Sequence, residues 1–134
     1  MKKLKIVFVE NDEDEQLFIK EGFEATDMYE VLGQFSSGSE LFSYMDNKLS
    51  RWPDVILSDL NMPGKNGHDI LTEIKEKPYA RVPVVITSTS STRSIIEKCL
   101  SMGAADYMIK PETFIEYEPF ARNLYKRVIE KNLV

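Results

Sequence analysis

Four short stretches hold the side chains that could do chemistry. They are Glu10, Asn11 and Asp12 in "VEND"; Asp59 in "VILSDLNMPGKNG"; Thr87, Ser88 and Thr89 in "TST"; and Lys110 ahead of Pro111. Clustered carboxylates repel one another unless a cation lies among them. A donor set made only of oxygen favours Mg²⁺, Mn²⁺ or Ca²⁺ over zinc. A carboxylate can act as a nucleophile and carry an acyl phosphate. A cation and an ammonium then neutralise the oxygens of the phosphoryl group in transfer, and a hydroxyl adds a hydrogen bond. Brought together, these residues would move a phosphoryl group onto a carboxylate, with Asp59 the acceptor. Taken singly, each has a plainer role. Glu10 to Asp12 could cap a helix, Ser88 and Thr89 end a strand, Lys110 lie in solvent, and Asp59 form an Asx turn. The chemistry depends on whether the chain gathers all four stretches in one place.

The elements that must do so are legible as an alternation of apolar runs with segments of helical period. The runs "LKIVFV", "YEVLGQF", "DVILS", "VPVVITS" and "ADYMIK" read as strands, the second less buried than the others. Helices are expected over "DEDEQLFIKEGFE", "SSGSELFSYMDNK", "GHDILTEIKE" and "TRSIIEKCLSM", with Gly103 closing the fourth. A last helix runs through "FARNLYKRVIEKN", starting near Glu118 so that Pro119 falls in its first turn. Asp12 with Glu15, and Ser37 with Glu40, have the spacing of capping boxes. Leu17, Phe18 and Gly22 fall near one face of the first helix, and Phe18, Tyr44, Met45 and Cys99 are expected in the core, with Trp52 covering an edge. Strands alternating with helices predict a parallel sheet with right-handed crossovers and helices on both faces. Such sheets bind ligands beyond the carboxyl ends of their strands. All four stretches stand at those ends.

Size and charge narrow the field. The chain has 134 residues, enough for one domain, and a formal net charge of -5, which argues against nucleic acid or an anionic membrane as a partner. A single cysteine, Cys99, excludes an intrachain disulfide. No apolar run approaches the roughly 18 residues of a membrane span. The amino-terminal "MKKLKIVFVEND" reads as a strand rather than a leader, so a cytoplasmic protein is expected. His68 starts a helix beside Asp69 and is given no role.

The pieces "KIVFVEND", "PDVILSDLNMPGKNG", "VPVVITSTS" and "GAADYMIKP", in this order and spacing, resemble the receiver domain of two-component response regulators over almost the whole chain. The resemblance implies an α/β, flavodoxin-like doubly wound fold, with a five-stranded parallel sheet in the order 2-1-3-4-5 and five helices. It implies one receiver domain over residues 1–134. Asp59 stands where the family has its phosphoacceptor. Lys110 matches the lysine that bridges to the phosphoryl group, and Pro111 the proline after it, typically joined by a cis peptide. Ser88, five residues after Pro83, matches the switch hydroxyl, and Tyr107 the switch aromatic that changes rotamer. Glu10, Asn11 and Asp59 would hold Mg²⁺ or Mn²⁺ with the backbone carbonyl of Asn61, and Asp12 is a further candidate ligand. Gly67 would let the loop turn tightly. The family has a second acid where this chain has Asn11, so weaker metal binding and slower phosphorylation are expected.

The function so implied is a phosphorylation-dependent signalling switch, fed by a sensor histidine kinase or a histidine phosphotransfer protein. It would be read by a downstream protein or by homodimerisation through the face of helix four, strand five and helix five. At most slow self-phosphorylation from small donors and self-dephosphorylation are expected, with no enzyme activity on a separate substrate, no direct nucleic-acid binding and no membrane contact. A phosphohydrolase would need an acid two residues after its nucleophile, where this chain has Asn61. A degenerate receiver that binds partners without phosphorylation is the alternative that Asn11 suggests. Only about two turns of helix follow Arg122, so a complete gene product of this sequence would act by docking on another protein.

Overall fold

The computed structural model describes residues 2–47 and 52–134. Its strands are β1 (Leu4–Val9), β2 (Tyr29–Phe35), β3 (Val55–Asp59), β4 (Val84–Ser88) and β5 (Asp106–Ile109). Its α-helices are α1 (Glu13–Ala25), α2 (Gly38–Asp46), α3 (Gly67–Ile74), α4 (Arg93–Ser101) and α5 (Tyr117–Glu130). The strands form one parallel sheet in the order β2-β1-β3-β4-β5, the flavodoxin-like order the resemblance implied.

Central strands buried on both faces carry near-continuous Val, Ile and Leu because both sides need apolar cover. Their alternation feeds two cores. Leu4, Ile6, Phe8, Val55, Leu57, Val85 and Met108 point toward α1 and α5, where they meet Ile19, Phe23, Phe120, Leu124 and Val128. Val7, Val9, Ile56, Val84 and Ile86 point the other way, toward Leu41, Met45, Ile70, Leu71 and Cys99 of α2, α3 and α4. Cys99 is a fully buried core residue, as expected.

The register of β2 against β1 slips by one: Ile6 pairs with Val31, but Val7 pairs with Gly33, leaving Leu32 as a bulge. A one-residue slip exchanges the two faces of a strand. Val31 therefore packs on the α1/α5 side, while Phe35 packs on the α2 side against Tyr44, their ring centroids 4.9 Å apart.

Local details depart from the sequence reading where tertiary packing decides. Asp12 caps α1 by accepting from the Glu15 amide at 2.9 Å, but the Glu15 carboxylate takes the Tyr117 hydroxyl instead of closing the box. The buried face of α1 is Ile19 and Phe23, while Leu17 is 51% exposed and Phe18 stacks on Phe114 near the surface. The cause is the crossing of α1 over α5 at Gly22, where a Cβ would lie 2.5 Å from Tyr117 Cβ. So close an approach turns the Ile19–Gly22–Phe23 stripe inward and leaves Leu17 outside. Ser37 caps α2 from the Glu40 amide, but Glu40 answers to the Ser36 amide at 3.0 Å, one residue early. Asn66 and Asp69 form a complete reciprocal box on α3 that the sequence reading passed over. A 3₁₀ turn (Phe114–Glu116) precedes α5, so that helix starts one residue before Glu118, with Pro119 in its first turn. Strand β3 ends on Asp59 itself, whereas β5 stops before Lys110. Lys48, assigned to the second helix, lies outside the described residues. No cis peptide occurs among the described residues, so the Lys110–Pro111 bond is trans, the isomer favoured by about 0.5–1 kcal/mol before proline. Among them, too, no helix is long and apolar enough to cross a membrane.

Candidate functional site

Strand alternation builds the site. Glu10 continues the series Leu4, Ile6, Phe8; Asp59 continues Val55, Leu57; Thr87 follows Val85; and Lys110 follows Met108. All four therefore reach the same edge of the sheet on the side of α1 and α5. Ladder bonds run past the strand ends and fix them: the Glu10 amide to the Phe35 carbonyl, the Leu60 amide to the Thr87 carbonyl and the Lys110 amide to the Ser88 carbonyl, at 2.8–3.0 Å. The Lys110 ammonium lies 2.7 Å from Glu10 Oε1 and 3.3 Å from Asp59 Oδ2. Residues a hundred positions apart in sequence so form one buried cluster, with Glu10 2% and Asp59 7% exposed.

Two acids share one base. Burial holds the Glu10 carboxyl above its usual range, and the charge on Asp59 adds to this despite the hydrogen bond from Lys110. Burial likewise raises Asp59, against the pull of Lys110 and the Asn61 and Leu60 amides. Burial works to lower Lys110, but the hydrogen bond it donates to Glu10 and the charges of Asp59 and Glu10 prevail and raise it. The cluster carries one more negative than positive group, and burial weakens the screening between them. A divalent cation would relieve that imbalance.

The donors present suit a hard cation. They are the carboxylates of Glu10 and Asp59, with the amide oxygen of Asn11 and the Asn61 carbonyl near the cluster by sequence. Among the described residues neither of those two oxygens accepts a hydrogen bond. No group of three or more His, Cys, Asp or Glu side chains suited to a metal is found among the described residues. Asp12 has one carboxylate oxygen on the Glu15 amide, and its own amide donates to Glu10 Oε2 at 3.1 Å. Its first task is to cap α1.

The loop after Asp59 divides its two glycines differently from the motif's reading. Gly64 takes the left-handed turn, with φ of 73°. Gly67 instead permits close approach, since a Cβ there would lie 3.0 Å from the Asp59 carbonyl oxygen. Ser88 and Tyr107 lie on the opposite face of the sheet, with Val84 and Ile86. They are linked through one residue: the Ser90 amide donates to Ser88 Oγ at 3.2 Å, and the Tyr107 hydroxyl donates to the Ser90 carbonyl at 2.8 Å. The Tyr107 ring is thereby held inward, 7% exposed. Sequence reasoning missed Ser90 because its role is played by its backbone. It also missed Tyr117, whose hydroxyl bonds Glu15 behind the cluster and is pushed far up by burial. His68 reaches Cys99 Sγ at 3.8 Å, away from the cluster.

Comparison with known proteins bears on the family and the fold. A family profile described as the response regulator receiver domain matches residues 6–131. The chain is 31% identical over 131 residues to the protein-glutamate methylesterase/protein-glutamine glutaminase of Clostridium acetobutylicum, covering 96% of this chain and 36% of that one. The crystal structure of the phosphorylated cyanobacterial phytochrome response regulator RcpA is 28% identical, with a TM-score of 0.79 and 92% of each chain covered. The Mn²⁺-bound form of response regulator Rcp1 shares the fold, with 22% identity, a TM-score of 0.76 and 92% of each chain covered. The chain spans about a quarter to about half the length of the curated relatives it matches.

Proposed function

The chain belongs to the response regulator receiver domain family, and from that premise we propose that Asp59 accepts a phosphoryl group from a phosphohistidine on a sensor histidine kinase or phosphotransfer protein. The observation that carries this reading is the buried cluster of Glu10, Asp59 and Lys110 at the carboxyl edge of the sheet. One Asp59 oxygen attacks phosphorus as the P–N bond of the donor breaks, and the electron pair returns to the imidazole nitrogen. Strand β3 holds that oxygen in place, so little ordering remains for the reaction itself. Lys110 shifts from the carboxylates toward the phosphoryl oxygens and offsets their charge. Mg²⁺ or Mn²⁺, held by Glu10, Asp59, Asn11 and the Asn61 carbonyl, would add positive charge at those oxygens. That the relative Rcp1 is named as Mn²⁺-bound supports this assignment.

The phosphoryl group brings about two negative charges and several acceptor oxygens. Ser88 turns its hydroxyl toward one of them and gives up the Ser90 amide. The β4–α4 loop then moves with Ser90, and Tyr107 moves with the loop through its hydrogen bond. This shifts the face of α4, β5 and α5, on which a downstream protein or a second copy docks. The inward ring is one of two populations that phosphorylation reweights. On this reading residues 1–134 are a single receiver domain acting in the cytoplasm, and its own chemistry ends with slow self-labelling and hydrolysis of its acyl phosphate. The experiment is incubation with Mg²⁺ and acetyl phosphate, followed by intact mass. One phosphoryl group should appear on the wild type and none on Asp59→Asn; equal labelling of that variant refutes the assignment.

A further inference from the structure

Glu10 is held by a side chain that no motif singled out. Gln16, on α1, donates through Nε2 to the Glu10 carbonyl at 2.5 Å and lies 3.4 Å from the Ser36 hydroxyl. Its own carbonyl accepts from Gln34 Nε2 at 2.7 Å. Gln34 reaches α1 because the bulge at Leu32 has exchanged the faces of β2. The remaining polar groups of Glu10 are also engaged. Its amide bonds Phe35, and its two carboxylate oxygens take the Asp12 amide and the Lys110 ammonium.

A peptide unit is planar. Fixing the Glu10 carbonyl therefore fixes the direction of the Asn11 amide and limits where the Asn11 side chain can go. Charge makes this matter. A carboxylate at position 11 would be drawn to a cation over several ångströms, whereas an amide dipole attracts only weakly and at short range. A site that replaces an acid with Asn11 depends more on having its loop placed beforehand.

We propose that Gln16 is a positioning residue for the cation site: its side-chain amide locks the Glu10–Asn11 peptide, so that Glu10 and Asn11 keep one fixed relation. The proposal rests on the metal reading given above, and the test separates the two. Gln16→Leu removes the donor with little change in helix propensity; Gln16→Arg keeps a donor at that place. Each is followed by ¹⁵N NMR, first metal-free and then through Mg²⁺ and Mn²⁺ titrations, with Tm as the control for folding. In metal-free Gln16→Leu the Asn11 and Asp12 amides should broaden and exchange faster with water while Tm stays near wild type. Cation affinity should fall on the order of tenfold, as for other groups that orient metal ligands. Gln16→Arg should restore the sharp, protected Asn11 and Asp12 amides, while its added positive charge lowers cation affinity in its own right. Unchanged amide lines in metal-free Gln16→Leu overturn the proposal. So does a loss of affinity that follows a fall in Tm. If the amides loosen and recover as stated but the wild type shows no cation-dependent shifts, the lock stands and the metal reading falls.

Discussion

Asn11→Asp tests the charge balance of the site most directly. Glu10 and Asp59 together carry two negative charges against the single positive charge of Lys110. An acid at position 11 would add a third. Two unit charges about 4 Å apart interact by about 1 kcal/mol in water and about 4 kcal/mol at an effective dielectric near 20. Position 11 is exposed, so the lower figure is the safer one even for a divalent ion. A gain of about 1 kcal/mol is roughly fivefold in affinity, and Mg²⁺ binding should tighten by at least that much. Labelling by acetyl phosphate at subsaturating Mg²⁺ should quicken in proportion. The metal-free fold should lose stability, because a repulsion over roughly 6 Å at high dielectric is about 0.7 kcal/mol. Trp52 is a poor reporter: it packs at a tilt against Tyr79, 5.3 Å between centroids, ahead of the amino-terminal ends of β3 and β4 and away from the site. Calorimetric titration, with urea unfolding in EDTA for stability, avoids that problem. Unchanged or weaker Mg²⁺ affinity in Asn11→Asp would refute the reasoning and point to Asp12 as the source of the missing charge.

Ser88→Ala should still accept phosphate on Asp59 but should no longer transmit it. NMR shifts at Ser90 and Tyr107 on addition of beryllofluoride should shrink, and wild-type shifts there would sink the coupling. Gly22→Ala forces a Cβ to within 2.5 Å of Tyr117 Cβ and 2.8 Å of its backbone, so a loss of about 1–3 kcal/mol in urea unfolding is expected; a neutral result would mean that α1 and α5 can slide apart freely. Glu10 and Asp59 both titrate above their usual range, so between about pH 4 and their raised values the folded state binds more protons than the unfolded one. Metal-free stability should therefore fall as pH rises through that window, and Asp59→Asn should flatten the fall; an identical slope in the variant would show that Asp59 is not its source.

The strands and the edge on which they end could be read from sequence because central parallel strands must be apolar throughout. Asp59, Glu10 and Lys110 stood out as charges at the ends of such runs. Leu17 was misplaced because periodicity cannot see that Gly22 brings α5 close and so chooses which stripe of α1 faces inward. The Asn66–Asp69 box departs from the commoner pattern of Ser or Thr followed three residues later by Glu, so its residue types mark it less clearly. Ser90 and Gln16 act through or upon backbone groups, which carry no mark in the choice of side chain. Gly64 and Gly67 are alike in sequence, but the fold gives one a left-handed turn and the other close packing against the Asp59 carbonyl.

The bulge at Leu32 has a consequence for how this molecule behaves among its own copies. Among the described residues β2 is an outer strand of the sheet, with no strand paired to one of its sides. A long, flat, apolar border of that kind invites another chain to add itself and aggregate. Here the regular spacing of unpaired amides and carbonyls is broken midway by the extra residue, and Glu30 sets an exposed charge just before it. The opposite border, β5, is only four residues long. These two borders offer an incoming strand little regular backbone to pair with, so strand-to-strand addition between copies is disfavoured.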